Sequence, residues 1–570
     1  MVRTKKEEVF GMKVLILGGV AGGAGAAARL RRLDENCEII MIERGQFISF
    51  ANCGLPYYIG EIITEKEKLL VQTVEGFSTR FKVDVRVNQE VIQIDRGAKA
   101  ITVKDLITDE IYSESYDKLV ISTGASPIGS TIPGADLPNV FTLRDIPDTF
   151  RIKDYVDTQK PAVAVVVGGG YIGLEVAENL KHRGVSVIMV EMAEQLVGVL
   201  DKEMAAFVHF YLQSCGVDFY LQDGVKAFIK DQKQTKVILT SGREIYADMV
   251  VLGIGVRPKA EIARDAGLEI GVTGGIKVNE YLMTSDPDIY AVGDVIEVTD
   301  YVNKNPALIP LAGPANKQAR IAADNICGRK SKYNGTQGTS VVKVFDMTVA
   351  ATGNNEKQLK RYGIKYEKSY THSGSHAGYY PGATVISIKI LFDPEHGRLF
   401  GAQAIGFSGV EKRMDVFATA IRAGMTVFDL EELELAYAPP FSSAKDPVNM
   451  AGYVASNIVR GDQKVMHWHE LDSVDRGKTI LLDVRTSEEF ADGAIPGAVN
   501  IPIDVLRSNL DKVPHDKEVV VYCKIGLRAY IAYRILTNLG YENIKNLSGG
   551  WTTYLPAVSN YCNIQEDMTI

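Results

Sequence analysis

The sequence predicts a multidomain α/β protein. It has two parallel-sheet units with glycine-rich first turns, an α+β module on an antiparallel sheet, and a small C-terminal α/β domain. Three observations carry this. A strand–glycine turn–helix–strand plan occurs twice, at Lys13–Glu43 and Val163–Glu191. From about Lys332 the texture changes to alternating strand-like runs, TSVVKVFDMTVAATG, ATVISIKILFD and RLFGAQAIG, followed by the helix KRMDVFATAIRAG. After the polar bridge VRGDQKVMHWHE, short strands (TILLDVR, VVVYC, ENIKNLSGGW) alternate with helical segments such as AYIAYRILTNLG.

The chain has 570 residues, room for three to four domains at ~150 residues each. Its 46% apolar and 24% charged content excludes disorder, collagen or coiled coil as a description of the whole. Lys+Arg total 63 against Asp+Glu 71, a net charge of −8. This gives no electrostatic reason to expect nucleic acid. No run reaches the ~18 apolar residues of a membrane span. The opening MVRTKKEEVFG lacks the apolar core of a signal peptide and reads as a polar tail before Met12. Six cysteines without a CxxC pair make no disulfide framework, so a reducing, cytoplasmic setting is expected.

In the first unit, KVLIL (Lys13–Leu17) runs into GGVAGG (Gly18–Gly23), an Ala-rich helix, and EIIMIE ending at Glu43. In the second, VAVVV (Val163–Val167) runs into GGGYIG (Gly168–Gly173), a helix, and VSVIMVE ending at Glu191. Glu43 stands 20 residues after Gly23 and Glu191 stands 18 after Gly173. That spacing suits a carboxylate on adenosine ribose hydroxyls, with pyrophosphate at the helix N-terminus. Two such units in one chain predict two bound dinucleotides. Val20 replaces the middle glycine of the first turn.

Two more segments point to a flavin. LVISTGA ends a strand in Thr123–Gly124, and DIYAVGDV ends one in Gly293–Asp294, where Asp294 can hold a ribityl hydroxyl. Their order around the second glycine turn predicts an FAD domain interrupted by a nicotinamide domain. The expected boundaries are 12–149 and 257–331 for the FAD domain and 150–256 for the NAD(P)H domain. Residues 332–455 form the α+β module, 456–465 the linker and 466–570 the last domain. The cofactor-binding set comprises Gly18, Gly19, Val20, Ala21, Gly22, Glu43, Arg44, Thr123, Gly124, Arg144, Gly293 and Asp294 for FAD. For the nicotinamide dinucleotide it comprises Gly168, Gly170, Tyr171, Ile172, Gly173, Glu191 and Gly255. Glu191 opposes a 2′-phosphate and so biases the choice toward NADH over NADPH.

Two cysteines carry chemistry. Cys53, in ISFANCGLPYYIG, follows the first unit, with Ser49 and Asn52 beside it and a helix expected near Gly54–Pro56. Backbone N–H groups and the helix dipole are expected to lower its thiol pKa. Position 58 is Tyr58, so no second cysteine stands five residues on to close an internal redox disulfide. A lone thiolate beside a flavin must pair with an external thiol, persulfide sulfur or sulfenic oxygen. Cys523 opens the loop CKIGLR, where Gly526 permits backbone N–H groups to face one sulfur and Arg528 adds a cation. That cradle suits a thiolate or persulfide. Cys37, Cys215, Cys327 and Cys562 are read as structural or incidental. None of the eight histidines has metal-ligand spacing with cysteine; His467 and His469, either side of Trp468, read as an extended, alternately exposed segment. No metal is expected.

Over residues 12–455 the chain resembles the flavoprotein disulfide reductases of the glutathione reductase fold. SFANCGLPY and AYAPPFSSAKDPVN resemble the coenzyme A disulfide reductases, while LLDVRTSEEFADGAIPGAVNIP, CKIGLR and LSGGW resemble a rhodanese domain. The arrangement is similar to coenzyme A disulfide reductase–rhodanese fusions, whose relatives include NADH-dependent persulfide reductases. The resemblance implies two Rossmann-like dinucleotide-binding domains, a dimerisation domain and a rhodanese domain, with FAD, NADH and coenzyme A as cofactors. Cys53 then forms a mixed disulfide with coenzyme A. Arg29, Arg32, Ser49 and Asn52 are its contacts, the arginines on phosphates, with Asn316 and Lys445 further along; relatives often carry His at the place of Asn316. Tyr380 and Tyr437 reach Cys53 from the partner of a homodimer, and Tyr379 matches the first of these equally well. Tyr171 covers the flavin, and Cys523 with Arg528 carries sulfur. Related peroxidases and oxidases have a His where Ala21 stands, which disfavours peroxide chemistry.

The implied reaction is reduction of coenzyme A persulfide or polysulfide sulfur, coupled to Cys523. Plain coenzyme A disulfide reduction is the alternative, and a flavin–cysteine redox sensor is the reading from another class.

Overall fold

The computed structural model describes residues 11–128 and 131–559; Cys562 lies outside them. The chain divides into two compact units, Met1–Val190 with Asp223–Gly338, and Glu191–Gln222 with Thr339–Ile570.

In the first unit, five parallel strands lie in the order Ile289–Ala291, Lys118–Ile121, Lys13–Leu17, Glu38–Glu43 and Asp84–Val87. The Val14–Leu17 part of the central strand is continuously apolar and buried, as a strand covered on both faces must be. The helix Ala21–Leu33 follows the first strand, and its small residues allow close packing on the helix Ala312–Ile326. A second parallel sheet places Ser186–Val190, Val163–Val167, Met249–Leu252 and Val140–Thr142 side by side. Antiparallel Ala125–Pro127 and Val256–Pro258 pair where the chain passes between the two sheets.

In the second unit, an antiparallel sheet runs Ser340–Val344, Met347–Gly353, Leu399–Gly406, Val385–Phe392, Glu367–Gly374. A separate parallel sheet runs Val465–Met466, Ile544–Leu547, Glu518–Tyr522, Thr479–Asp483, Val499–Asn500. Within this unit, the segment Glu191–Gln222 contributes to a buried charge network. Asp201 and Gln403 exchange hydrogen bonds at 2.8 and 2.6 Å. The ammonium of Lys389, with no exposed surface, sits among Asp201 (2.8 Å), Glu203 and Glu356. A buried cation must be paired, and that pairing fixes the helix Lys202–Ser214 on the antiparallel sheet. His467 and His469 depart from expectation. They sit at the start of a 3₁₀ turn, Trp468–Ser473, and His467 is buried with its Nε2 2.9 Å from Glu367. Among the described residues, no helix is long and apolar enough to cross a membrane.

Candidate functional site

Cys53 lies in a 3₁₀ turn, Asn52–Gly54, leading into the five-residue helix Leu55–Ile59. The turn is anchored to the first glycine turn: the N–H of Ser49, whose backbone is left-handed, donates to the carbonyl of Gly19 at 2.9 Å, and the Ser49 carbonyl accepts from Val71. The loop thus passes directly beside the Gly18–Gly23 turn, and Cys53 is exposed on it. Helix Leu55–Ile59 packs on helix Tyr171–His182, and Gly60 lets the two approach, since a Cβ there would lie 1.9 Å from Asn179 Oδ1. This brings Tyr57 to Glu175, its hydroxyl donating at 3.3 Å. Partial burial, then the charges of Glu175 and Asp294, push the Cys53 thiol up. That corrects the expected lowering: burial outweighs what a five-residue helix can supply, and the charges of Glu175 and Asp294 add to it. Glu175 itself is pushed up to about 7, chiefly by burial and further by Glu178, against the Tyr57 hydrogen bond.

The two glycine turns fit dinucleotides. Gly18 has φ +95° and a Cβ there would lie 2.3 Å from the Ser122 carbonyl; Gly168 repeats this, at φ +107° and 2.3 Å from the Gly253 carbonyl. Each following helix, Ala21–Leu33 and Tyr171–His182, begins without a side-chain cap, so first-turn N–H groups remain for pyrophosphate. A Cβ on Gly124 or Gly170 would meet nothing within 4 Å, which leaves room for a ligand. Glu43 accepts the N–H groups of Gly19 and Gly45, both at 2.7 Å, and its remaining lone pairs can accept from ribose hydroxyls. Val20 does not obstruct this turn, because it is the residue before the helix. Asp294 follows the strand Ile289–Ala291, and burial pushes its carboxyl up. Gly293 donates to buried Gln318 at 2.8 Å. Thr123 Oγ1 donates to the Lys259 carbonyl, and the Arg144 guanidinium reaches Ser126 Oγ at 3.3 Å. Arg44 is exposed and pairs with Glu90. Gly255 has φ +103° and its carbonyl accepts from Ile128. Ile172 is 38% exposed. In the other unit, Glu191 accepts the N–H of Ala193 at 2.8 Å.

Arg29 directs two nitrogens at one oxygen of Asp324, Oδ1, at 2.8 and 2.7 Å, so a phosphate would have to compete with that carboxylate. Arg32 is exposed. Asn316 is also exposed, and its side chain approaches the first helix at Gly25.

In the second unit, the hydroxyls of Tyr379 and Tyr437 are 2.8 Å apart. Tyr380 instead sets its ring edge-on to His376, with centroids 5.6 Å apart. The segments carrying Tyr379 and Tyr437 are tied by buried Arg413, which donates to the Ser375 carbonyl, Ser442 Oγ and Asp446. Of the two tyrosines the sequence left open, Tyr379 is the one paired with Tyr437. Lys445 is exposed just before Asp446.

Cys523 ends the strand Glu518–Tyr522 and is fully buried. The loop turns at Gly526 (φ +100°), whose N–H lies 3.2 Å from Cys523 Sγ, and runs into the helix Leu527–Asn538. Arg528 is bidentate on Glu489, at 2.7 and 2.8 Å, and also interacts with Cys523. Its charge is therefore shared with a carboxylate that the sequence reading missed; 39 residues apart, the pair leaves no local pattern. Beneath the loop, Arg485 pairs with buried Asp483 and lies over the rings of Tyr522 and Trp551.

A family model for pyridine nucleotide-disulphide oxidoreductases matches residues 12–319, and the model of that family's dimerisation domain matches 339–447. The chain belongs to the pyridine nucleotide-disulphide oxidoreductase family. A rhodanese-like domain model matches residues 469–557. The enzyme is accordingly an FAD- and NAD(P)H-binding oxidoreductase with a dimerisation domain and a rhodanese domain. The coenzyme A disulfide reductase of Staphylococcus haemolyticus is 37% identical over 447 residues, 78% of this chain and all of that protein. The crystal structure of reduced Bacillus anthracis CoADR-RHD is 53% identical, with a TM-score of 0.94 over 96% of this chain and 98% of that one. The NAD-dependent persulfide reductase from A. fulgidus is 38% identical, with a TM-score of 0.89 over 95% of this chain and all of that one.

Two residues facing Cys53 escaped the sequence reading. Tyr57 had a usable signal, four residues after Cys53 at helical spacing. Glu175 had none, because only the packing of two helices brings it there.

Proposed function

We propose that this enzyme reduces coenzyme A disulfide at the expense of NADH, through Cys53. The observation that carries the reading is the solitary, exposed Cys53 thiol in the turn beside the first dinucleotide loop, with Tyr58 at the place of a resolving cysteine. Its disulfide partner must come from outside. The match to the whole of a coenzyme A disulfide reductase, over 78% of this chain, supports coenzyme A as that partner. Cys53 thiolate attacks one sulfur of the disulfide, the S–S bond breaks, and one coenzyme A thiolate leaves. Two electrons then cleave Cys53–S–S–CoA, restoring the Cys53 thiolate and releasing the second coenzyme A thiolate, and each of the two coenzyme A thiolates takes up one proton. The sum is NADH + CoA–S–S–CoA + H⁺ → NAD⁺ + 2 CoA–SH. Bound FAD supplies the two-electron relay. Ser49, Asn52, Arg32, Asn316 and, on leaving Asp324, Arg29 contact coenzyme A, and Lys445 adds a charge. Tyr379 and Tyr437 of the partner subunit, hydroxyls already paired, bring protons toward the leaving thiolate.

The Cys523 loop favours a second reading, reduction of coenzyme A persulfide: NADH + CoA–S–SH → NAD⁺ + CoA–SH + HS⁻. Here Cys53 attacks the sulfur next to coenzyme A and hydrosulfide leaves, while Cys523 exchanges sulfane sulfur with the same carrier. The similarity to a persulfide reductase along the whole chain supports it. Anaerobic NADH oxidation by FAD-loaded protein, given disulfide and persulfide in parallel with sulfide assayed, separates the two. Faster turnover of the disulfide is expected. Stoichiometric sulfide with slow disulfide turnover would replace the first reading by the second, and a Cys53→Ser variant that still turns over would overturn both.

A further inference from the structure

In the second unit, one histidine joins the antiparallel sheet to the helix that carries the Cys523 loop. His372, on the edge strand Glu367–Gly374, is buried. Its Nδ1 lies 2.8 Å from the hydroxyl of Ser387, its partner across the strands, and its Nε2 lies 2.8 Å from Thr553 Oγ1. Thr553, with no exposed surface, belongs to the helix Gly550–Val558. Burial lowers the imidazole to about 4, so it is neutral at pH 7. A neutral ring has one donor and one acceptor nitrogen, and each hydroxyl can serve either.

The same helix holds the sulfur loop. The N–H of Trp551 donates to the Cys523 carbonyl at 2.8 Å, and the N–H of Thr552 to the Lys524 carbonyl at 2.9 Å. The contact is close: a Cβ on Gly550 would lie 2.3 Å from the Cys523 carbonyl, and one on Gly549 would lie 2.0 Å from Thr553 Oγ1 and 2.8 Å from Tyr370 Cβ. With both carbonyls turned toward the helix, the loop presents the Gly526 N–H to the sulfur. Every step of this chain, from the Ser387 hydroxyl to Sγ, is a hydrogen bond or covalent backbone.

We infer that His372 is a positioning residue for Cys523: through Thr553 it fixes the helix whose first N–H groups shape the sulfur loop, so the antiparallel module helps build the rhodanese site. The inference rests on the reading of Cys523 as the sulfur carrier. Loosening the clamp degrades the Gly526 N–H contact and destabilises the anionic sulfur.

The test uses the FAD-loaded full-length protein and variants His372→Ala, His372→Gln, Thr553→Val and Thr553→Ser. The pH profile of Cys523 alkylation is read by peptide mass, and thiosulfate-to-cyanide sulfur transfer by kinetics. His372→Ala and Thr553→Val should each slow Cys523 alkylation at pH 7 about three-fold, through the weakened Gly526 N–H contact to the sulfur. They should also lower sulfur-transfer kcat about ten-fold, with NADH oxidation through Cys53 unchanged. His372→Gln, which keeps a donor and an acceptor, and Thr553→Ser should restore most of both. A Cys523 profile identical to wild type in His372→Ala and Thr553→Val overturns the inference, as does an equal fall in both activities with no shift in the profile. If one of the two does not fold, the other decides. Wild-type protein that transfers no sulfur from thiosulfate would instead remove the sulfur-carrying reading, and the alkylation profile would still decide the clamp.

Discussion

Glu175→Gln isolates the charge that faces Cys53. The carboxyl rises from an ordinary 4.5 to about 7, a displacement of about 2.5 units, or at most about 3 kcal/mol against the ionised form, reduced where water reaches the group. Because the folded value is the higher one, this contribution to stability is fully present below about pH 4.5 and is lost as pH rises through about 7. Gln is neutral throughout and keeps it. The variant should therefore match wild type at pH 4 and exceed it at pH 8, by up to about 3 kcal/mol, in urea unfolding. The thiol follows the same switch: with a value of about 7, Glu175 is roughly nine-tenths neutral at pH 6 and nine-tenths charged at pH 8. The charge of Glu175 is one of those that push the thiol up, so the Cys53 pKa should fall in the variant. More thiolate, partly offset by its weaker nucleophilicity, gives roughly three-fold faster alkylation at pH 8 and no change at pH 6. Iodoacetamide labelling of Cys53 from pH 5.5 to 9.5, read by peptide mass in a Cys523→Ser background, makes the measurement. A rate ratio that does not vary with pH, or a variant that reacts more slowly at pH 8, would refute the electrostatic account.

Three further outcomes are expected. Glu489, held at about 2 chiefly by Arg528, shares that cation with Cys523, so Glu489→Gln should speed Cys523 alkylation at pH 7 about three-fold; an unchanged rate would mean the guanidinium does not act on the sulfur. Lys389→Met leaves Asp201, Glu203 and Glu356 buried without their shared cation and should cost about 3–5 kcal/mol in urea unfolding. Lys389 is raised while Glu203 and Glu356 are lowered. The deficit should therefore be largest between about pH 5 and 10, shrinking as the carboxylates protonate in acid and as the ammonium deprotonates in base; a loss below about 1 kcal/mol contradicts the reading. Gly168→Ala drives a Cβ to within 2.3 Å of the Gly253 carbonyl at φ +107° and should raise the KM for NADH at least ten-fold with FAD content retained. Loss of FAD instead, seen in the flavin-to-protein absorbance ratio, would reverse the assignment of the two glycine turns.

Much of the architecture was already legible in the residues. A buried parallel strand is a continuous apolar run, and a first turn that must bend sharply under a helix needs glycine, so KVLIL–GGVAGG and VAVVV–GGGYIG declare themselves locally. Cys53 and Cys523 were likewise visible, because the polar turn and the CKIGLR loop surround each with its chain neighbours. Wherever the deciding partner is distant in sequence, the residues alone fell short. The sequence placed Cys53 at a helix start and implied a lowered thiol; partial burial in the fold, with the charges of Glu175 and Asp294 adding to it, pushes the thiol up instead. It supplied Arg528 as a cation but not Glu489, which shares that charge. It gave no sign that the buried ammonium of Lys389 gathers Asp201, Glu203 and Glu356. It left His372 unremarked between Ser387 and Thr553. Local periodicity and turn chemistry are written in neighbouring residues and can be read there. Which charges meet away from water depends on chain segments up to about three hundred residues apart, and only the fold decides that.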